Sequence, residues 1–309
     1  MSVDMFNTLI AIMATISLFL FSLQGFSSEL QRFGAERMQV WLGKITAKPL
    51  LGLLFGATLT AVIQSSSAVS SIVVALVDSG VISFYNSLAV LLGTNIGTTF
   101  TAWMITFKLD FLGPYLLITG TIIGFLPYKI HFIGKLIFYL GLILFSLLLI
   151  SKALEPVKES EDMIRLLSHA QHPFKGVLIG MLVTILVQSS SVTTGLTIVL
   201  ASQGLLELQG AIAIVVGCNV GTTSTALLAS TTMNKAAKLS AKANFVFNLI
   251  GLLAFAPFIT KFAQLMGGMQ ADLAVQVATA HLIFNAVVAL ITFPFLKQIG
   301  SLIEKQAKR

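Results

Sequence analysis

Apolar runs dominate the chain, and polar residues interrupt them in a regular way. Five stretches, at about 5–27, 110–127, 129–151, 236–260 and 272–296, are apolar over roughly the ~20 residues that a helix needs to cross a hydrocarbon core of about 30 Å. Two further apolar segments carry the same uncharged polar word, Gln64-Ser65-Ser66-Ser67 and Gln188-Ser189-Ser190-Ser191. Each segment opens on a proline, Pro49 or Pro173, and is too short on either side of the word for an ordinary span. Pro173 to Val187, for example, makes only about 22 Å of helix at ~1.5 Å per residue. This predicts a helix–turn–helix hairpin that enters and leaves on one side of the membrane, with the polar word at its tip. One continuous helix through the whole segment would be longer than tilt comfortably absorbs. Two more segments, 83–107 and 207–232, have spanning length but hold a Gly-x-Asn-x-Gly-Thr-Thr word near the middle, at 93–99 and 217–223. Paired glycines weaken a helix and free its backbone groups, so each is predicted to be a discontinuous helix.

The two halves are copies. Sliding the chain so that Gln64 falls on Gln188 also puts Asn95 on Asn219 with no gap. Pro49, Gly52, Gly56, Thr60 and Gly80 then fall on Pro173, Gly176, Gly180, Thr184 and Gly204. Gly93, Gly97, Thr98 and Thr99 fall on Gly217, Gly221, Thr222 and Thr223. Two unrelated apolar segments would agree by chance in Leu, Ile and Val, whereas these agree in Gly, Pro, Ser, Thr, Asn and Gln. Each unit reads as a span, a charged connector (29–48 or 152–172), a hairpin, a broken helix and another span. Hairpins that do not cross leave an odd number of crossings per unit, so the second unit enters the membrane upside down relative to the first. The expected fold is therefore an all-α polytopic membrane protein. It is one transmembrane transport domain over 1–309, built of two inverted-topology repeats with re-entrant helical hairpins and discontinuous helices. Repeat 1 covers about 5–127, repeat 2 about 129–260, and an extra C-terminal span lies at about 272–296.

Composition agrees with a membrane setting: 56% of residues are hydrophobic and 10% charged, against roughly 25% charged in soluble domains. The net charge of +7 is no nucleic-acid signal, because most of the cations sit in short loops and at the C-terminus. Arg32, Arg37, Lys44, Lys48, Lys129, Lys235, Lys238, Lys242 and the C-terminal cations would share one face, and Lys108, Lys152, Lys158, Arg165, Lys175 and Lys261 the other. The richer face is expected in the cytoplasm, with the N-terminus outside. The segment at about 5–26 lacks a basic lead and is too long for a signal peptide, so it is expected to be a retained span.

The chemistry lies in the two words. A hairpin tip offers the free N–H groups and positive dipole end of the following helix to an anion. It also offers the free carbonyls of the preceding helix to a cation such as sodium. Ser hydroxyls and Gln amides serve either ion. Neither word carries a charge, whereas a standalone anion site normally uses Arg. The neutralising charge must then come from helix ends and co-bound cations, which makes anion binding depend on cation binding. For one Ser-rich patch, close helix packing would be the plainer explanation. Two identical patches at identical spacing from matching Asn words favour a site.

Other polar residues carry less. Asp78 reads as an interfacial residue at the foot of the first hairpin. His281 reads as a packing histidine, and the lone cysteine, Cys218, as a small packing residue. Asn248 and Asn285 occupy matching places in two similar segments ending at Pro257 and Pro294, and are either interhelical partners or ligands. The connector 152–172 reads as a solvated loop and 29–48 as an amphipathic interfacial helix.

Paired QSSS words, each followed by G-x-N-x-G-T, resemble the type II sodium-dependent phosphate cotransporter family (Na/Pi cotransporters), in its bacterial form. The resemblance covers roughly 49–102 and 173–226. It implies sodium-coupled symport of inorganic phosphate across the cell membrane by alternating access. Phosphate would be bound by Gln64, Ser65, Ser66, Ser67, Gln188, Ser189, Ser190, Ser191, Asn95 and Asn219. Sodium would be bound by Gln64, Ser65, Thr98, Thr99, Gln188, Ser189, Thr222 and Thr223. Co-transported sodium is the expected cofactor, with no organic cofactor. The expected partners are inorganic phosphate, sodium, the lipid bilayer and a second copy in a homodimer; nucleic acid is not among them. Electrogenic animal members add an acidic residue after the first broken helix, and over 108–127 this chain has only Asp110.

Rival readings differ in class. A transporter of another oxyanion or a dicarboxylate, or a proton-coupled one, would show competition by sulfate or succinate, or uptake without sodium. An intramembrane serine hydrolase would pair a tip serine with His131 or His281, without a G-x-S-x-G word. A passive channel would give ohmic current where a transporter gives saturable flux.

Overall fold

The computed structural model describes residues 3–45, 48–106, 112–126, 128–159, 165 and 167–306. Among them there is no strand. Helix α1 is Val3–Ile45, α2 Pro49–Ile63, α3 Ser66–Asp78, α4 Phe84–Thr106, α5 Leu112–Gly124 and α6 Tyr128–Ala153. The second half holds α7 Pro173–Val187, α8 Ser190–Ser202, α9 Leu208–Ala229, α10 Lys235–Phe255, α11 Ile259–Gly267, α12 Leu273–Thr292 and α13 Leu296–Gln306. Six helical stretches of the described residues are long and apolar enough to cross a membrane, which makes this a multi-pass protein of the cell membrane.

Two of the six are inner helices. In their most apolar windows α4 is 67% buried and α9 78%, whereas the first, near the N-terminus, is only 22% buried. The outer faces are greasy. Phe6, Ile10 and Met13 on α1, and Tyr115, Ile118 and Ile122 on α5, all stand exposed, as side chains that meet lipid do.

The inner helices hold the short ones against them in matching registers. Leu53 O lies under Gly93 and Ala57 O under Gly97; in the other half Val177 O lies under Gly217 and Met181 O under Gly221. Contacts that climb both helices together mean that α2 runs parallel to α4, and α7 to α9. Each short helix begins at a proline in its first turn, where a missing N–H costs nothing. Each then ends at a glutamine, and a second short helix starts two residues later.

The remaining helices frame this pair. Ser87 donates to Ser240 at 2.9 Å, and one level further along both helices Asn95 donates to Asn248, so α10 runs parallel to α4. α13 runs the other way along α4: Leu88 packs at Gly300 and Tyr85 donates to Glu304. Short 3-10 turns at Ala256–Phe258 and Phe293–Phe295, each holding a proline, separate α10 from α11 and α12 from α13.

Three expectations need correction. The Gly-x-Asn-x-Gly-Thr-Thr segments are not discontinuous: α4 and α9 run through them as unbroken α-helix. The glycines are there for close approach instead. A Cβ at Gly93 or Gly217 would sit 2.0 Å from the facing carbonyl oxygen of α2 or α7. Among the described residues the apolar stretch at 110–127 holds α5, 13 residues of helix about 20 Å long. It packs backbone-close against α6 through Gly113, Gly120, Gly134 and Gly141. The 152–172 connector is not simply solvated, because Leu154, Val157 and Ala170 are buried in the core beside α9 and α12. In addition, α1 runs unbroken from the first span through most of 29–48. Asp110 lies outside the described residues.

Candidate functional site

The two polar words sit where the short helices meet. Gln64 closes α2 at φ 59°, ψ 26°, and Gln188 closes α7 at φ 57°, ψ 24°. Among the described residues these are the only two non-glycines with positive φ. A left-handed residue with a side chain costs about 1–3 kcal/mol, and such strain concentrates at functional sites. Each glutamine N–H still closes its own helix, donating to Thr60 O or Thr184 O at 2.8 Å. Ser65 and Ser189 follow in extended conformation as the N-caps of α3 and α8. Helices α3 and α8 therefore begin at the tips, with their first N–H groups beside the serines.

The glutamine side chains are held by threonines outside the predicted set. Thr101 on α4 donates to Gln64 Oε1 at 2.8 Å, and Thr225 on α9 donates to Gln188 Oε1 at 2.8 Å. The amide nitrogens turn back to carbonyls of their own helices, Ala61 O and Ile185 O. The two halves also cross. Ser67 donates to Gln188 O at 3.3 Å and lies 3.5 Å from Thr225 Oγ1. In the mirrored position Ser191 lies 3.4 Å from Thr101 Oγ1. Each tip thus touches the threonine that holds the other tip's glutamine.

A cavity of about 200 Å³ opens between the tips and α1. Gln64, Ser65, Gln188, Ser189 and Ser191 line it, and α1 adds Gln24, Ser27, Ser28 and Gln31. Every polar wall residue among those described is neutral. Ser66 and Ser190 are buried as the first residues of α3 and α8. The wall is therefore rich in hydroxyls, amides and helix-end groups, a donor and acceptor set suited to an oxyanion and a hard cation.

The other predicted residues lie deeper. Asn95 donates to Asn248 Oδ1 at 3.0 Å, and Asn219 donates to Asn285 Oδ1. Asn248 and Asn285 in turn donate to Asn244 O and His281 O, both at 2.9 Å. These asparagines are interhelical partners, and they do not line the tip cavity. Thr98, Thr99, Thr222 and Thr223 are buried and donate to carbonyls of their own helices. Their oxygens keep lone pairs for a cation. Asp78 is exposed and accepts from Asn234 N at 2.7 Å, tying the foot of α3 to the start of α10. His281 is buried with neither ring nitrogen hydrogen-bonded, and His131 contacts Gly124 O, so neither is bonded to a tip serine.

Two sets of site residues escaped sequence reasoning. Thr101 and Thr225 match under the same slide that pairs Gln64 with Gln188, one step past the words that drew attention. Gln24, Ser27, Ser28 and Gln31 recur at three- and four-residue steps, the signature of one polar helix face.

A family model described as Na+/Pi-cotransporter matches residues 18–152 and again 143–272, so each match holds one QSSS tip. An uncharacterized protein of Bacillus subtilis (strain 168), YqeW, is 32% identical over 289 residues, 93% of this chain and 94% of its own. A protein of Escherichia coli (strain K12) provisionally named inorganic phosphate export protein YjbB is 28% identical over 292 residues. That match covers 94% of this chain and 54% of the relative, so the chain spans about half of its length. The human sodium-dependent phosphate transport protein 2B is 40% identical over 98 residues, 30% of this chain and 14% of its own. No solved structure matches.

Proposed function

The chain belongs to the Na+/Pi-cotransporter family, and on that premise we propose that it carries inorganic phosphate across the membrane by sodium-coupled symport. Phosphate sits between the two tips, bound by the cavity-lining hydroxyls of Ser65, Ser189 and Ser191, with Ser66, Ser67 and Ser190 beside them and the first N–H groups of α3 and α8 as further donors. Sodium ions take the oxygen-rich flanks: the Gln64 and Gln188 amides and the last carbonyls of α2 and α7, with Thr98, Thr99, Thr222 and Thr223 behind them. Asn95 and Asn219 act from the rear, fixing α4 and α9 to α10 and α12.

The observation that carries this reading is the crossed contact between the halves, Ser67 with Gln188 and Thr225, Ser191 with Thr101. A pocket made equally by two copies of one motif is the hallmark of a repeat-interface transporter site. The helix directions support inverted-topology repeats. α10 runs parallel to α4 and α13, which follows α12 after a single turn, antiparallel to it, while Asn219 and Asn285 pair α9 with α12 as Asn95 and Asn248 pair α4 with α10. They also support re-entrant hairpins. With α2 parallel to α4, α3 must return from the level of Thr101 to the start of α4. In a site without fixed charge, phosphate repulsion is relieved only by the accompanying cations, which ties the two fluxes together.

The test is uptake of labelled phosphate by the purified protein in proteoliposomes under an inward sodium gradient. Uptake is expected to stop when choline replaces sodium and to resist excess sulfate or succinate. Uptake that persists without sodium would overturn the coupling, and competition by sulfate or succinate would overturn the substrate.

A further inference from the structure

The tip cavity has a second chamber beside it. Gln24 and Ser28 of α1 line the tip cavity and also a space of about 420 Å³ between α1 and α6, whose other walls include Glu29, Arg32, Lys135 and Tyr139. The two spaces thus share a wall of neutral donors. On the far side the tip cavity is stopped. Phe19 is 1% exposed and packs at Gly195, where a Cβ would come within 2.9 Å of both the Phe19 ring and the Ile105 side chain. Ile105 and Ile198 then floor a separate cavity that opens near Lys152. The space between α1 and α6 adjoins the tip cavity across Gln24 and Ser28.

That space is charged where the tips are not. The Glu29 carboxylate, only 12% exposed, lies 3.4 Å from Arg32 and 3.3 Å from Lys135. Both Glu29 and Lys135 fall inside apolar spans, where an ionic group is costly and marks a pathway more often than a scaffold. A plain staple between α1 and α6 needs one cation for its carboxylate. Here two cations face one acid, and Arg32 and Lys135 keep 75% and 37% of their side-chain surface exposed. Among the described residues the lining of this chamber is therefore net positive. Inward of it come Gln24, Ser27, Ser28 and Gln31, uncharged donors leading to the serines.

We infer that the α1–α6 cleft is an antechamber for an oxyanion: Lys135 and Arg32 collect it at the mouth, and Gln24 and Ser28 pass it to the tips. Glu29 keeps the two cations in place and keeps the mouth from holding the anion too tightly to release it. Phosphate as the passing anion rests on the function proposed above; the anion preference of the cleft does not.

The experiment places a cysteine in the chamber, Ser28→Cys, in the full-length protein. The native Cys218 is buried and gives a silent background. Anionic and cationic methanethiosulfonate reagents of equal size are compared, each normalised to its rate on free cysteine. The anionic reagent is expected to react about tenfold faster than the cationic one, the scale on which a charged cleft concentrates ions. Lys135→Gln should erase most of that preference, Lys135→Arg should keep it, and saturating phosphate should slow the reaction. Absence of labelling, equal normalised rates, or a preference that survives both Lys135→Gln and Arg32→Gln overturns the antechamber. In proteoliposomes Lys135→Gln should raise the KM for phosphate several-fold with the maximal rate nearly kept, whereas loss of a mere staple would lower the maximal rate. A Ser28→Cys protein that prefers the anionic reagent, beside a wild type that carries no phosphate, would sink the phosphate reading and leave the anion antechamber standing.

Discussion

Gln64 and Gln188 share a backbone angle to within a few degrees, a threonine clamp at the same distance, and a neighbouring helix seated on matching glycines. Around those shared parts the two tips differ. Ser65 caps its helix by accepting from Ala68 N at 3.2 Å, while the Ser189 side chain makes no such bond. Gln188 gains a second side-chain partner, Ser224, where the first half has Phe100 turned to the outside. Thr184 donates to Thr193 at 3.0 Å, but its counterpart Thr60 is buried without a partner, because Val69 stands where Thr193 would be. Duplication thus preserved the centre of the proposed site: strained glutamine, serine run and threonine clamp. The polar periphery diverged, which is where two cation sites of unequal character would form. In the sodium reading, the second tip offers more oxygen than the first.

The shared frame can be broken symmetrically, and that gives the largest effect. Gly93→Val and Gly217→Val each push a side chain into a carbonyl 2.0 Å away. Both are expected to cost more than the ~1–3 kcal/mol of ordinary overpacking. Size-exclusion profiles and melting curves in detergent should show loss of folded protein in both. Tolerance of either would mean that the two registers are not equivalent.

Next in size is a split between stability and transport at the strained residues. Gln64→Gly and Gln188→Gly relieve the left-handed backbone but lose the threonine clamp, two effects of about 1 kcal/mol that offset each other, so the melting temperature should change little. Transport should fall about 10- to 100-fold, since the clamp and the amide are lost. A stable variant with normal uptake would remove that glutamine from the site.

The smallest effect sharpens the difference between the halves. Thr184→Val removes a buried hydrogen bond and should cost about 1 kcal/mol, whereas Thr60→Val removes an unpaired hydroxyl and should be neutral or stabilising. Val69→Thr should supply the missing partner and raise the melting point of the wild type. Equal costs at Thr60 and Thr184 would contradict the asymmetry.

Much of this was legible in the residues. The break at QSSS could be read because segment lengths rule out a span on either side, and Pro49 and Pro173 mark the helix starts. The duplication was plain because the matching residues are ones that apolar helices otherwise avoid. What could not be read was the use of the glycines. Gly93 and Gly97 weaken a lone helix, but here they meet the backbone of α2, and close packing outweighs their cost. Only tertiary contact decides between break and seat. The contribution of α1 was hidden for a similar reason. Gln24, Ser27, Ser28 and Gln31 look like a fraying span end until α6 and the tips close around them. The pairing of Asn95 with Asn248 joins residues from opposite repeats, and the internal slide that aligns the halves says nothing about contacts between them.

Sodium-coupled transport as proposed requires one site shared by both tips and filled only in the presence of sodium. Equilibrium binding of labelled phosphate to the purified protein, in sodium and in choline, for wild type, Ser67→Ala and Ser191→Ala, tests that most directly. The prediction is one phosphate per chain in sodium, none in choline, and a comparable weakening of that single site by either substitution. Two independent sites, sodium-independent binding, or a substitution in one tip that leaves affinity unchanged would contradict it.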